Sequence, residues 1–221
     1  MRWSVALFAA ALLGCATPGP TPAPLALIDV PEPPHLGVTI VGHPDATGAL
    51  TRQLFYRSDT QKAESDLKAV LAPRGFSPGA MLGAGIAGAA ARGGHPIARL
   101  ADPVKEREEL LGDYAQINAA GGRIVDVVPL AVGYWSTYPK SAYRPWVVVE
   151  YRIYDAQGRT SIATGTIGAG PSPNAKPIDT VPQDDRFAFP DFDAVRANPE
   201  RALDGLKTTI DQVAAALAAK L

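Results

Sequence analysis

Cysteine is almost absent: Cys15 is the only one in 221 residues. An intrachain disulfide framework and a zinc site built on paired thiolates are therefore excluded. Histidine is scarce, and His35, His43 and His95 form neither HExxH nor another metal-ligand spacing. No GxSxG nucleophile elbow occurs. Nothing calls for a cofactor, so none is expected, and the chain reads as a non-enzyme. An excess of charge is lacking too, since 21 Lys and Arg face 22 Asp and Glu. That balance gives no basis for nucleic-acid binding or for a polybasic membrane patch. The N-terminal apolar run, Val5 to Leu13, falls well short of the ~20 residues that span a bilayer.

What is present starts with that run. Arg2 precedes it, and small residues close it immediately before Cys15, the layout of an export signal. Leu12-Leu13-Gly14-Cys15 resembles the lipobox of bacterial lipoproteins. The resemblance implies cleavage before Cys15, acylation of its thiol and new amino group, and a partner in the lipid bilayer. A cleaved signal without lipid is the competing reading. Against it, a lone thiol in an oxidising compartment has no disulfide partner and must be consumed otherwise. Ala16 stands where an Asp retains such lipoproteins at the inner membrane. The resemblance thus implies the outer membrane of a two-membrane cell, with the domain facing the periplasm. Loss of residues 1–14 removes Arg2 alone among the charges, leaving 20 basic against 22 acidic residues, a net of −2.

The organisation expected is a signal peptide over 1–14, a lipidated Cys and proline-rich tether over 15–36, and one domain over 37–221. Seven prolines from Pro18 to Pro34 make the tether read as polyproline-like and outside any sheet. Within the domain, Gly37–Val41 and Leu54–Tyr56 read as short strands. Ser58-Asp59-Thr60-Gln61 is a capping box before the apolar face Ala63, Leu67, Val70 and Leu71, which Pro73-Arg74-Gly75 ends. A helix is expected from Asp102-Pro103 to about Asn118. Arg123–Trp135 reads as a strand with an edge or bulge at Pro129. Trp146–Asp155 alternates as a half-buried strand, turning at Asp155-Ala156-Gln157-Gly158 into Thr160–Ile167. Pro171–Pro190 reads as a loop. From Asn198-Pro199 the last helix carries the stripe Leu203, Leu206, Ile210, Val213 and Leu217. The fold class expected is α+β, a mainly antiparallel sheet packed by helices with a long C-terminal helix.

Several stretches have competing readings. Gly83-Ala84-Gly85-Ile86-Ala87-Gly88 is a literal GxGxxG, but no hydrophobic strand precedes it, so a dinucleotide site is set aside. Gly79, Gly83, Ala87 and Ala91 recur every four residues within a Gly/Ala-rich insertion around 77–96. That spacing suits a close-packed helix, an inserted loop or a membrane contact. Asp184, Asp185, Asp191 and Asp193 lack the spacing of a calcium loop and read as solvated. Aromatics gather from Tyr134 to Tyr154, either as cross-strand core pairs or as a contact surface. Tyr151 shares the apolar strand face. Tyr138, Lys140, Tyr143 and Arg144 are the candidate contacts with a protein partner.

The helix ending Leu67 to Phe76, and Val147 to Gly165 with its Tyr-Asp-Ala-Gln-Gly-Arg turn, resemble envelope lipoproteins with a TolB N-terminal-like or CsgG-like domain. The resemblance implies scaffolds, secretion-pore subunits, transport auxiliaries or activators of wall synthases, without catalysis of their own. The 79–96 insertion and the 171–190 loop depart from that pattern. The function expected is a lipid-anchored, non-catalytic module that binds an envelope protein. The alternatives are a lipid-tethered wall hydrolase and a lipid or small-ligand carrier.

Overall fold

The computed structural model describes residues 24–34, 36–40, 61–104, 107–117, 119, 122–137, 142–173 and 176–221. The lipobox, the Leu54–Tyr56 strand and the Ser58 cap lie outside them. The chain runs through strand β1 (Leu25–Ile28), β2 (Gly37–Ile40), helix α1 (61–71), α2 (Pro78–Arg92), and β3 (Ile97–Leu100). Then follow β4 (Arg123–Ser136), β5 (Arg144–Asp155), β6 (Thr160–Ala169), β7 (Asp179–Thr180), α3 (Phe192–Ala197) and α4 (Pro199–Ala218). All seven strands form one mixed sheet in the order β3-β1-β4-β5-β6-β7, with β2 also on β4. The long β4–β5 and β5–β6 ladders are antiparallel, and the short strands join in parallel. The fold is α+β.

The period-two pattern of β4 and β5 explains the main core. Val147, Val149, Tyr151 and Ile153 of β5 face the helices, with Val125 and Val127 of β4. A bulge between Pro129 and Ala131 shifts the register, so the inward residues of β4 change from odd to even and become Val132 and Tyr134. Pro129 is tolerated because β1 pairs only with 123–125 and β2 only with 133–136. Beside Pro129 no described strand lies on that side to miss an N–H.

The helices pack as a layer on this face. The α4 stripe is buried at all five expected positions, and Tyr134 Oη donates to the Ala202 carbonyl at 2.8 Å. Pro199 occupies the first turn as expected, whereas Asn198 makes no side-chain cap; its side-chain Nδ2 donates instead to the Ala194 carbonyl. In α1, Leu67 and Leu71 are fully buried, and Gly75 takes φ 63° to end the turn after it. Of the three readings of the Gly/Ala stretch, the helix is the one found: α2 packs on α4. A Cβ on Gly85 would lie 2.9 Å from the Ala214 Cβ, and one on Gly79 would lie 2.5 Å from the Pro31 carbonyl oxygen. Small residues are there because neighbouring chain passes too close for a side chain.

Two expectations are corrected. The tether does not reach Leu36 as a spacer. Leu25–Ile28, a proline-free break in the proline series, inserts as β1 between β3 and β4 and is buried throughout. Just beyond it Glu32 accepts from the Gly79 and Ala80 amides, at 3.2 Å each, and from Ser77 Oγ. A carboxylate distant in sequence thus caps α2. Nor is there a helix from Asp102 to Asn118: the described residues there form an irregular connection across the second sheet face. Its polar groups bond to the sheet, as set out below.

Leu206 is fully buried in the α4 stripe. Leu206→Ala should lower stability by about 2–5 kcal/mol through lost transfer energy and a residual cavity, read as a shift in the urea midpoint at constant slope.

Candidate functional site

The aromatic region divides between core and surface. Tyr138 and Lys140 lie outside the described residues. Tyr134 is fully buried, and desolvation pushes its phenol well above the ordinary value near 10. Tyr143, expected on the surface, is only 4% exposed. Its amide and carbonyl exchange hydrogen bonds with Phe189 at 2.7 and 2.8 Å, and its ring packs on Phe192 with centroids 5.7 Å apart. Burial, with the Asp191 charge nearby, raises its pKa. This ring is core and has no face to offer a partner. Arg144 is partly exposed and pairs with Asp185 at 3.0 Å, an arrangement worth little in water. Tyr151 is core as expected.

The acidic cluster fastens local structure. Arg186 donates to Asp184 and holds its carboxyl below the usual range. Asp191 caps α3 through the Ala194 amide at 2.7 Å, and Asp193 pairs with Arg196. Among the described residues no group of three His, Cys, Asp or Glu is placed to hold a metal ion.

The opposite sheet face carries an arrangement that reading the sequence did not single out. Asp126 is fully buried within β4. Its Oδ2 accepts from the Leu111 amide at 2.9 Å and from Tyr114 Oη at 2.8 Å, and its Oδ1 lies 2.7 Å from Arg107 Nη1. Arg107, itself 7% exposed, also reaches Asp102 Oδ2 at 2.6 Å and the Glu109 carbonyl at 3.2 Å. Tyr114 stacks on Tyr154 with centroids 4.6 Å apart, and Arg152 donates to the Leu111 carbonyl at 3.0 Å. Burial, then the Asp126 charge and hydrogen bond, raise the Tyr114 phenol far above its ordinary value. A buried charge must be paired and hydrogen-bonded. Asp126 obtains this from 107–114, which holds that segment out of a helix and against the sheet. The sequence signal was a lone carboxylate amid the apolar run from Ile124 to Val128.

A second connection covers the far end of the same face. Trp146 is largely buried there and donates Nε1 to the Pro171 carbonyl at 2.8 Å. Between the two connections lies an open channel of two adjoining cavities, about 300 and 410 Å³, which share Glu108 and Leu130. The smaller is walled by Pro33, Pro34, Thr39, Pro129 and Trp146. The larger is more polar, with Glu109, Glu150, Arg152 and Lys176. Lys176 Nζ binds Glu150 Oε1 at 2.7 Å.

No protein-family model matches the chain, and no curated protein matches it. Among solved structures, the protein XCC0632 of Xanthomonas campestris, described under DUF330, is 12% identical with a TM-score of 0.44, over 90% of this chain and 83% of that one. A PelC dodecamer from Paraburkholderia phytofirmans, crystallised as a point variant, is 14% identical with a TM-score of 0.30, over 93% and 95%. Lipoprotein GNA1162 of Neisseria meningitidis is 12% identical with a TM-score of 0.19, over 64% and 79%. All three scores lie below 0.5 and assign neither family nor function.

Asp126→Ala strands the Leu111 amide and the Tyr114 hydroxyl and leaves Arg107 with Asp102 as its one carboxylate. It should cost about 3–5 kcal/mol, the usual loss when one partner of a buried pair is removed. Urea unfolding would measure the cost, and hydrogen exchange should quicken first at the Leu111 amide.

Proposed function

We propose that this chain is a lipid-anchored envelope protein whose domain binds another protein and performs no chemistry of its own. The anchor rests on the Leu12-to-Cys15 motif, and the outer membrane on Ala16 after the cysteine. The binding role rests on the channel over the second sheet face, which combines apolar walls with polar groups at its margin, the make-up of a recognition site. In support of a non-catalytic role, Asp102, Asp126, Asp184 and Asp191 each have a structural partner. The candidate contacts move accordingly. Arg144 keeps its place at the surface, Tyr143 loses it, and the channel becomes the principal candidate.

Cys15→Ser should abolish labelling by a clickable fatty acid and leave unprocessed precursor in the membrane fraction. Lipid labelling of that variant would refute the anchor. Hydrolysis of purified cell wall by the wild type, lost on Glu108→Gln, would refute the non-catalytic reading.

A further inference from the structure

The ladder on one side of β4 is interrupted. β1 leaves it after Val125 and β2 joins at Gly133, so 126–132 have no strand neighbour on that side among the described residues. At about 3.3 Å per residue, the interruption is about 20 Å long. The chain between β1 and β2 passes here but cannot close it, because Pro31, Pro33 and Pro34 have no N–H to donate. The cavity of about 300 Å³ occupies the end of this interruption, bounded by Pro33, Pro34 and Gly37 to Thr39 on one side and by 129–132 of β4 on the other. On the side away from β5 no described strand pairs with 129–131, where Pro129 offers a carbonyl but no N–H. An unpaired strand edge can take an added strand, and at Pro129 the added strand would have to donate to the carbonyl alone.

The surrounding charge is one-sided. Glu64 and Glu108 line the slot, and Glu108 and Glu109 line the adjoining cavity. None of these three carboxylates has an ion pair among the described residues. The cations at the channel are engaged, Arg152 by the Leu111 carbonyl and Lys176 by Glu150. The apolar wall comes from Pro129, Leu130, Trp146 and Pro173.

We infer that the slot between β1 and β2 takes an extended, lysine- or arginine-bearing segment of a protein partner, added as a short strand along the free edge of β4. This deepens the binding role proposed above and rests on it. Backbone pairing supplies the hydrogen bonds, the Trp146 and proline wall takes an apolar side chain, and the carboxylates select a basic neighbour.

The test uses the full-length lipidated protein in detergent and three fluorescein-labelled pentapeptides. One alternates lysine and valine, one alternates glutamate and valine, and one is the lysine peptide with alternate amides N-methylated. Anisotropy should report binding of the first, and at least tenfold weaker binding of the other two. Glu64→Gln with Glu108→Gln should weaken the lysine peptide at least tenfold while leaving the unfolding midpoint unchanged. Equal binding of the glutamate peptide, or no effect of the two substitutions, overturns the charge assignment. Equal binding of the N-methylated peptide overturns strand addition, and no binding of any peptide overturns the slot. Cys15→Ser should leave peptide binding unchanged, so failure of the slot and failure of the anchor read out separately.

Discussion

The β4–β5 ladder is apolar on both faces, and the whole molecule is arranged around covering it. Val149 and Tyr151 look one way, and Trp146 and Val148 the other. Among the described residues, helices cover only the first face. There α2 and α4 lie side by side, close enough that Gly85 cannot carry a side chain. The second face is left to two irregular connections, which have no internal hydrogen-bond ladder and must take their partners from the sheet.

Asp126 is what makes that possible for the first connection. Desolvating its carboxylate is costly, and the attraction of Arg107 at Oδ1 together with the Leu111 and Tyr114 hydrogen bonds at Oδ2 offsets that cost. The same contacts fix where 107–114 runs. The second connection is held by Trp146 on the Pro171 carbonyl and by Lys176 on Glu150. Because the two are pinned at separate points, they leave a channel between them. The proposed binding surface is thus a consequence of how the second face is covered.

The β1–β2 interruption has a comparable origin. Prolines at 31, 33 and 34 prevent the N-terminal segment from running on as one strand, so it leaves the sheet, caps α2 with Glu32, and returns as β2. The gap lies next to Pro129 and the β4 bulge. The bulge also changes which residues of β4 face the helices, bringing Tyr134 to its buried bond with Ala202.

Wherever one element's own periodicity decides its environment, the sequence was legible: the α4 stripe, the β5–β6 hairpin, the end of α1 and the irregularity at Pro129 all follow from local spacing. The lipobox-like motif at Cys15, on which the proposed anchor rests, would be a linear signal of the same kind. Tertiary structure decided the rest. Leu25–Ile28 is too short for a periodic signal and became a central strand only because β3 and β4 supply both its neighbours. Residues 107–117 carry helix-compatible spacing, but a buried carboxylate on another element outcompeted the helix for their donors. Tyr143 reads as a loop aromatic and is core because Phe189, far along the chain, pairs with its backbone. The channel belongs to no segment at all; it lies between groups brought together from β2, β4, β5, α1 and two connections, which no local pattern encodes.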